Sequence, residues 1–87
     1  MRSMEKIVSC ELSFIPIESQ DYRSDVKKVL GIISGTGIDY EVSAFSTTVT
    51  GHKDVIFGMI EKIYSEMEND AKFTIVIKIS NICGCDV

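Results

Sequence analysis

Histidine, cysteine and long apolar runs are all scarce in this 87-residue sequence, and each scarcity excludes a class of protein. The single histidine, His52, leaves no Ser-His-Asp set, and the sequence contains neither G-x-G-x-x-G nor a phosphate-binding loop. Glu11, Asp39 and Glu41 are the remaining candidates for a catalytic carboxylate pair, but nothing in the sequence singles them out as one. We therefore predict that the protein is not an enzyme.

Extended apolar segments and clusters of basic residues are missing as well. No apolar run approaches the ~18 residues that a membrane-spanning helix needs, and the start, MRSMEKIV, lacks the apolar core of a secretory signal. The nine Lys and Arg residues are scattered, and a net charge of −4 gives no electrostatic footprint for nucleic acid. These absences predict a cytoplasmic protein with no nucleic-acid partner and no membrane insertion.

The three cysteines, Cys10, Cys83 and Cys85, are too few for a disulfide scaffold. Together with His52 they nominally supply the four ligands of a tetrahedral zinc site. However, Cys83 and Cys85 form C-x-C rather than the usual C-x₂₋₄-C spacing, and there is no second histidine. We predict structural or incidental thiols, with no metal and no cofactor.

Hydrophobic patterning predicts a strand and then a helix in the first half of the chain. Residues 6–17 alternate between apolar and polar, which is typical of a half-buried strand, and the strand is expected to end near Pro16. Ser19 or Asp21 is the expected N-cap of the following helix, and Gly35 and Gly37 are its stop signal. The stripe that this helix should turn to the core is Tyr22, Val26, Val29, Leu30 and Ile33.

Two strands, a helix and a last strand are predicted in the second half. Residues 38–45 and 46–51 are expected to form a hairpin, and Thr50 is the expected cap of the next helix, with Asp54 in its first turn. That helix has a long apolar stripe in which Met59 and Met67 are core residues. Residues 72–80 alternate again.

The element order β-α-β-β-α-β predicts one α+β domain over residues 1–87 with the ferredoxin-like fold. Two right-handed crossovers place both helices on one face of a four-stranded antiparallel sheet in the order 4-1-3-2. A domain of this size buries only ~60–65% of the surface of its unfolded chain, so oligomerisation is a common remedy.

The other face of the predicted sheet has no cover from this chain. It carries Ser9, Glu11 and Ser13 on the first strand and Lys78 on the last. The third strand adds either Thr48 and Thr50 or Thr47 and Val49, depending on the register. Such a face is either a solvated surface or a surface that binds a ligand.

Three segments stand out by their order and spacing: the first strand SCELSFIPI, the hairpin SAFSTTVTG with Ser46 and Thr47, and the terminal ISNIC. Together they resemble the YkoF-like family of thiamine- and hydroxymethylpyrimidine-binding proteins. Glu11 stands where an amide-bearing glutamine is expected, and the ending is Cys-Gly-Cys rather than Cys-Pro. The resemblance covers residues 7–83 and rests on the order and spacing of the motifs.

The resemblance implies binding of thiamine or its hydroxymethylpyrimidine moiety without chemistry, in salvage, transport or delivery, by a homodimer or homotetramer associated through sheet surfaces. A carboxylate at position 11 can accept from the exocyclic amine of an aminopyrimidine, and hydroxyls can donate to its ring nitrogens. Phe45 is a candidate for stacking, as is Tyr22, although Tyr22 also fits the core stripe of the first helix. The predicted ligand-binding residues are Ser9, Glu11, Ser13, Phe45, Ser46, Thr47, Thr48, Ser80 and Asn81.

A different function remains open from the residues alone. Ferredoxin-like domains host many functions. The open sheet face is therefore also compatible with a regulatory or structural oligomer in which it is only a subunit interface.

Overall fold

A computed structural model describes residues 6–82 and contains the six predicted elements in the predicted order. The strands and helices are β1 (Ile7–Glu18), α1 (Tyr22–Gly35), β2 (Asp39–Val42), β3 (Thr47–His52), α2 (Lys53–Met67) and β4 (Lys72–Ser80). The four strands form one antiparallel sheet in the order β2-β3-β1-β4, which is the predicted order read from the other edge. Cys83 and Cys85 lie outside the described residues.

The core lies between the two helices and the two central strands. Every second residue of β1 faces the helices, because side chains alternate along a strand. The buried core residues come from β1, β3 and both helices: Val8, Cys10, Leu12, Val29, Ile33, Val49, Ile56, Met59, Ile63 and Met67. The predicted core positions of Met59 and Met67 are confirmed.

Cys10 belongs to this core. Burial raises the pKa of its thiol, because the thiolate would lose its hydration there. Cys10 therefore stays a neutral, small apolar side chain at physiological pH. Within residues 6–82 no cluster of three or more histidine, cysteine or acidic side chains is arranged to hold a metal ion.

The strand register decides which threonines share the open face. Glu11 on β1 pairs with Thr48 on β3 and with Lys78 on β4. Thr48 and Thr50 therefore lie on the open face with Glu11, whereas Thr47 and Val49 point toward the helices.

The caps of the two helices differ in how well the sequence predicted them. Asp21 is the N-cap of α1, as predicted, and accepts from the backbone N–H of Ser24 at 3.2 Å. Ser19 is not the cap, because its hydroxyl donates to the buried carboxylate of Asp25. The predicted cap of α2, Thr50, is wrong.

Thr50 fails as a cap because its backbone is still part of the sheet, where it pairs with Ser9 and Asp39. The strand continues to His52, whose Nδ1 accepts from the N–H of Asp54 at 3.1 Å. Asp54 does lie in the first turn of α2, as predicted. No linker separates β3 from α2.

Two other predictions need correction. β1 runs past Pro16 to Glu18, because the pairing with β4 shifts register between these residues instead of ending. Tyr22 is 60% exposed and is not a core residue. It is the first residue of α1, and the first buried residue of the helix is Asp25, three positions later in the same turn.

Gly51 is the position where the sheet requires the smallest side chain. A Cβ on Gly51 would lie 2.8 Å from Cγ2 of Ile38, in the connection between α1 and β2. We expect Gly51→Ala to lower the free energy of unfolding by about 1–3 kcal/mol, because Ile38 would have to move. Urea unfolding followed by circular dichroism measures this change. An unfolding free energy at or above that of the wild type would contradict the expectation.

Gly58 in α2 is the matched control for that substitution. A Cβ at Gly58 meets no atom of the described part of the chain within 4 Å, as is also true of Gly31 and Gly35 in α1. Because alanine is the better helix former by about 0.8–1.0 kcal/mol, Gly58→Ala should raise the free energy of unfolding. The three glycines line an open groove between the helices.

Candidate functional site

A cavity of about 220 Å³ lies where the β2–β3 hairpin meets α1 and β1. It is more enclosed than two larger depressions, one between the helices and one beside the loop after α2. Its lining residues come from the middle of β1, one side of α1 and the hairpin: Leu12, Ser13, Phe14, Val26, Val29, Leu30, Val42, Ser43, Ala44, Phe45, Ser46 and Thr47. We take this cavity as the candidate site.

The inner wall of the cavity is apolar. Val29 and Leu12 are buried core residues, and Phe14 and Leu30 pack against that core. None of the lining residues carries a charged side chain. The wall therefore suits the flat face of an aromatic ring, whereas polar contacts must come from the hairpin side.

Hydrogen bonds fix the hairpin at the mouth of the cavity. The backbone N–H and the hydroxyl of Ser43 both donate to the carbonyl of Ser46, at 2.8 and 3.0 Å. Ser13 on β1 donates to the carbonyl of Phe45 at 3.0 Å. The turn is thus closed by its own hydrogen bonds and tied to β1 through Ser13.

Phe45 is held by its backbone and not by its ring. Its side chain is 91% exposed at the tip of the hairpin. The ring does not anchor the hairpin, since it packs against no core residue. It is therefore free to cover a ligand at the cavity mouth.

Glu11 lies beside the mouth, on the open face of the sheet. Ser46 donates its hydroxyl to Oε2 of Glu11 at 2.9 Å, and Nζ of Lys78 lies 3.8 Å from Oε1. Glu11 and Lys78 are both exposed, so the ion pair between them is weak and screened. The carboxylate keeps lone pairs for a further donor while Ser46 holds its orientation.

The structure brings only part of the predicted site together. Ser13, Phe45, Ser46 and Thr47 line the cavity, and Glu11 adjoins it through Ser46. Thr47 is only 7% exposed, so it can offer a ligand no more than a small part of its side chain.

The other predicted residues lie elsewhere on the open face. Thr48 pairs with Glu11 and lies in a shallow depression near β2. Ser9 is four residues before Ser13 on β1, about 13 Å away at the usual rise of a strand. Ser80 pairs with Ser9, and Asn81 follows at the end of β4. These residues form a second group that the cavity does not include.

Sequence reasoning missed the apolar wall and Ser43. Val26, Val29 and Leu30 were recognised only as core positions of a helix, because a cavity wall and a packed core have the same apolar pattern. Ser43 had a detectable signal, since it stands three residues before Ser46 in a four-residue turn.

No helix within residues 6–82 is long and apolar enough to cross a membrane.

Comparison with known proteins connects this fold to a described family. A family model with the description "Thiamine-binding protein" matches residues 10–84. Among curated proteins, none matches the sequence significantly.

Several solved structures share the fold. A domain of unknown function (DUF77) from Bacillus cereus is 25% identical with a TM-score of 0.79, over 97% of this chain and 84% of that one. A candidate thiamine biosynthesis/salvage protein from Thermotoga maritima is also 25% identical, with a TM-score of 0.75 over 85% of this chain and 82% of that one. A protein from Streptococcus pneumoniae, 18% identical with a TM-score of 0.79 over 92% and 93%, supports the fold alone.

Proposed function

Because this chain belongs to the thiamine-binding protein family, we propose that it binds thiamine, or the hydroxymethylpyrimidine moiety of thiamine, without altering it chemically. Salvage, transport or delivery of the vitamin is the role that such binding would serve. The observation that carries the proposal is the cavity at the β2–β3 hairpin, with an apolar wall, serine hydroxyls at its mouth and the Glu11 carboxylate beside it.

The size of the cavity favours one ring rather than two. Pockets for drug-sized ligands measure about 300–1,000 Å³, and this cavity measures about 220 Å³. We therefore assign the aminopyrimidine ring to the cavity and the thiazolium ring to its mouth.

The chemistry of the mouth matches this orientation. Glu11 would accept from the exocyclic amine of the pyrimidine, a charge-assisted hydrogen bond. Ser13 and Ser46 would donate to ring nitrogens once the ligand replaces one of their present partners. The exposed ring of Phe45 would cover the thiazolium cation, an arrangement that the aromatic quadrupole favours.

The residues outside the cavity have a separate proposed role. Ser9, Thr48, Ser80 and Asn81 lie on or beside the open face. We propose that they contact a ligand, or a part of one, that extends along this face beyond the cavity.

The lining residues support binding without catalysis. They include no histidine, cysteine, lysine or carboxylate, so a hydroxyl at the cavity would have no adjacent base to activate it except Glu11. Glu11 is already the acceptor for Ser46 and is open to solvent. A ligand recovered intact after long incubation, as judged by mass spectrometry, is the expected result.

Thermal unfolding in the presence of thiamine and of hydroxymethylpyrimidine tests the proposal. A ligand at 100 times its Kd should raise the free energy of unfolding by about 2.7 kcal/mol. Each kcal/mol raises the Tm of a domain of this size by about 4–8 °C. The matched control is the thiamine analogue in which an oxygen replaces the exocyclic amine, because it removes the donor to Glu11. If neither thiamine nor hydroxymethylpyrimidine raises the Tm at millimolar concentration, the proposal is rejected.

A second candidate function rests on the open face of the sheet. Its strands carry no covering element from the described residues. A regulatory or structural oligomer would use this face only as an interface. This candidate gains support if the protein associates stably and binds neither ligand.

A further inference from the structure

Two basic side chains of α1, Arg23 and Lys27, have no acidic partner within residues 6–82. Both are exposed, and neither takes part in the ion pairs that the described residues form. Lys28, the third basic residue of this helix, is different, because its Nζ lies 2.7 Å from a carboxylate oxygen of Asp70. Arg23 and Lys27 are therefore the cations of α1 that are available to an anion from outside the chain.

Arg23 and Lys27 are also neighbours of each other. Residues four apart lie on the same side of a helix, and like charges at this spacing destabilise it. The two acidic residues near the start of α1 form other contacts. Asp21 caps the helix by accepting from a backbone N–H, and the buried Asp25 accepts from the hydroxyl of Ser19. An anion held between the two cations would relieve their repulsion.

The position of Arg23 around the helix axis places it beside the cavity at the hairpin. Val26 and Leu30 line that cavity, whereas Gly31 lies on the flank that faces α2. Arg23 precedes Val26 by three residues and Leu30 by seven, so it lies on the cavity side of the helix. Lys27 precedes Leu30 by three and is the neighbour of Arg23 on the solvent side.

The first turn of α1 forms the helix side of the cavity mouth. Val26 is the lining residue of α1 closest to the start of the helix. The turn before it carries Tyr22 and Arg23, and both are exposed. Side chains of a helix lean toward its N-terminus, so Lys27 extends back toward the same turn. The mouth thus has two cations on its helix side.

The sheet side of the mouth has the opposite charge. Glu11 lies there with Lys78, and Glu41 lies on β2 in the same row across the sheet. Asp39 adds a third carboxylate to the open face. The sheet side therefore favours a cationic or amine-bearing group of a ligand, whereas the α1 side favours an anionic group.

We propose that the preferred ligand is a phosphate monoester, either thiamine monophosphate or the monophosphate of hydroxymethylpyrimidine, and that Arg23 and Lys27 bind its phosphate group. This inference rests on the proposed function, because it keeps the aminopyrimidine ring in the cavity beside Glu11. Arg23 is the main contact, since a guanidinium donates two parallel hydrogen bonds to a phosphate. Lys27 adds a second, more mobile charge.

Titration calorimetry with thiamine, hydroxymethylpyrimidine and the monophosphate of each tests the preference. At least one ester should bind about tenfold more tightly than its unphosphorylated form, as expected for a charge-assisted contact. This advantage should shrink as the salt concentration rises, because exposed charges are screened. If neither ester binds more tightly, the inference is overturned, and binding of the unphosphorylated compounds leaves the proposed function intact. If none of the four compounds binds, the proposed function is rejected as well.

Substitution of the cations tests which side chains hold the phosphate. Arg23→Gln should remove most of the advantage of the ester, and Lys27→Gln a smaller part. The Kd of unphosphorylated thiamine should stay within about twofold in both variants, since exposed charges interact weakly with one another. Circular dichroism verifies that each variant is folded.

Lys62→Gln on α2 is the matched control. It removes the same kind of charge from an exposed side chain at the groove between the helices, away from the cavity. The advantage of the ester should be unchanged in this variant. An Arg23→Gln variant that keeps the full advantage overturns the inference, as does one that loses affinity for thiamine and for its monophosphate equally.

Discussion

Replacing Glu11 with alanine is expected to weaken thiamine binding by about ten- to a hundredfold. The reason is that a hydrogen bond to a charged group contributes about 1.5–3 kcal/mol, and every 1.4 kcal/mol is a factor of ten in Kd. The substitution also frees the hydroxyl of Ser46, which now donates to Glu11 at 2.9 Å. Titration calorimetry of the wild type and Glu11→Ala measures the difference.

Two control variants test whether the loss of affinity comes from the contact between Glu11 and the ligand or only from the loss of a negative charge on this face. Glu41→Ala removes the same charge from the open face, but Glu41 lies on β2 and does not line the cavity. Its Kd should stay within about twofold of the wild type, since exposed charges interact weakly with one another. Glu11→Gln keeps the shape and an acceptor for Ser46, so its affinity should be intermediate. Equal losses in Glu11→Ala and Glu41→Ala would contradict the proposed contact.

The largest expected loss of stability comes from Ile63→Ala in α2. Ile63 is fully buried and belongs to the core cluster under both helices. Truncation of a buried isoleucine to alanine costs about 2–5 kcal/mol, because it removes apolar contacts and leaves a cavity. A domain of this size has only about 4–13 kcal/mol in total, at about 0.05–0.15 kcal/mol per residue. Urea unfolding should show a clearly lower midpoint.

Ile17→Ala is the matched control for that truncation. The two substitutions remove the same atoms, but Ile17 is an exposed residue near the end of β1. Its effect should remain within about 0.5 kcal/mol, as for most surface substitutions. A loss at Ile17 comparable to that at Ile63 would mean that the exposed end of β1 is covered in solution.

The sequence predicted the fold well because its strands and helices differ in hydrophobic period. β1 alternates between apolar and polar residues from Val8 to Phe14, and α2 carries a stripe at helical spacing, so their types and order follow directly. The boundaries were less predictable. Thr50 was expected to cap α2, because threonine is common at helix N-caps, but it is equally common in strands. In the structure it pairs with Ser9 and belongs to β3.

Tyr22 illustrates a different limit of periodicity. Its spacing to Val26 and Val29 is helical, yet it begins α1, ahead of the buried residues of that helix, which are Asp25, Val29 and Ile33. A periodic pattern gives the direction of a side chain around the helix axis. It does not give the position of the core along that axis.

The candidate site was predictable only where polar residues mark it. Ser46 and Glu11 were each predicted to be ligand-binding residues, and the structure joins them by a hydrogen bond. Thr47 and Thr48 were indistinguishable until the register placed one toward the helices and one on the open face. The cavity wall could not be predicted, because it consists of core residues that leave a gap near the hairpin.

The glycines of the helix groove have a consequence for the evolution of the binding site. Gly31, Gly35 and Gly58 each lower helix stability, and no neighbouring atom within residues 6–82 requires them. Replacing all three glycines with alanine would raise the free energy of unfolding by roughly 2–3 kcal/mol. A variant carrying these alanines should tolerate substitutions around the cavity that would unfold the natural chain. The three groove glycines are therefore positions at which evolution or protein engineering could add the stability that changes in ligand preference require.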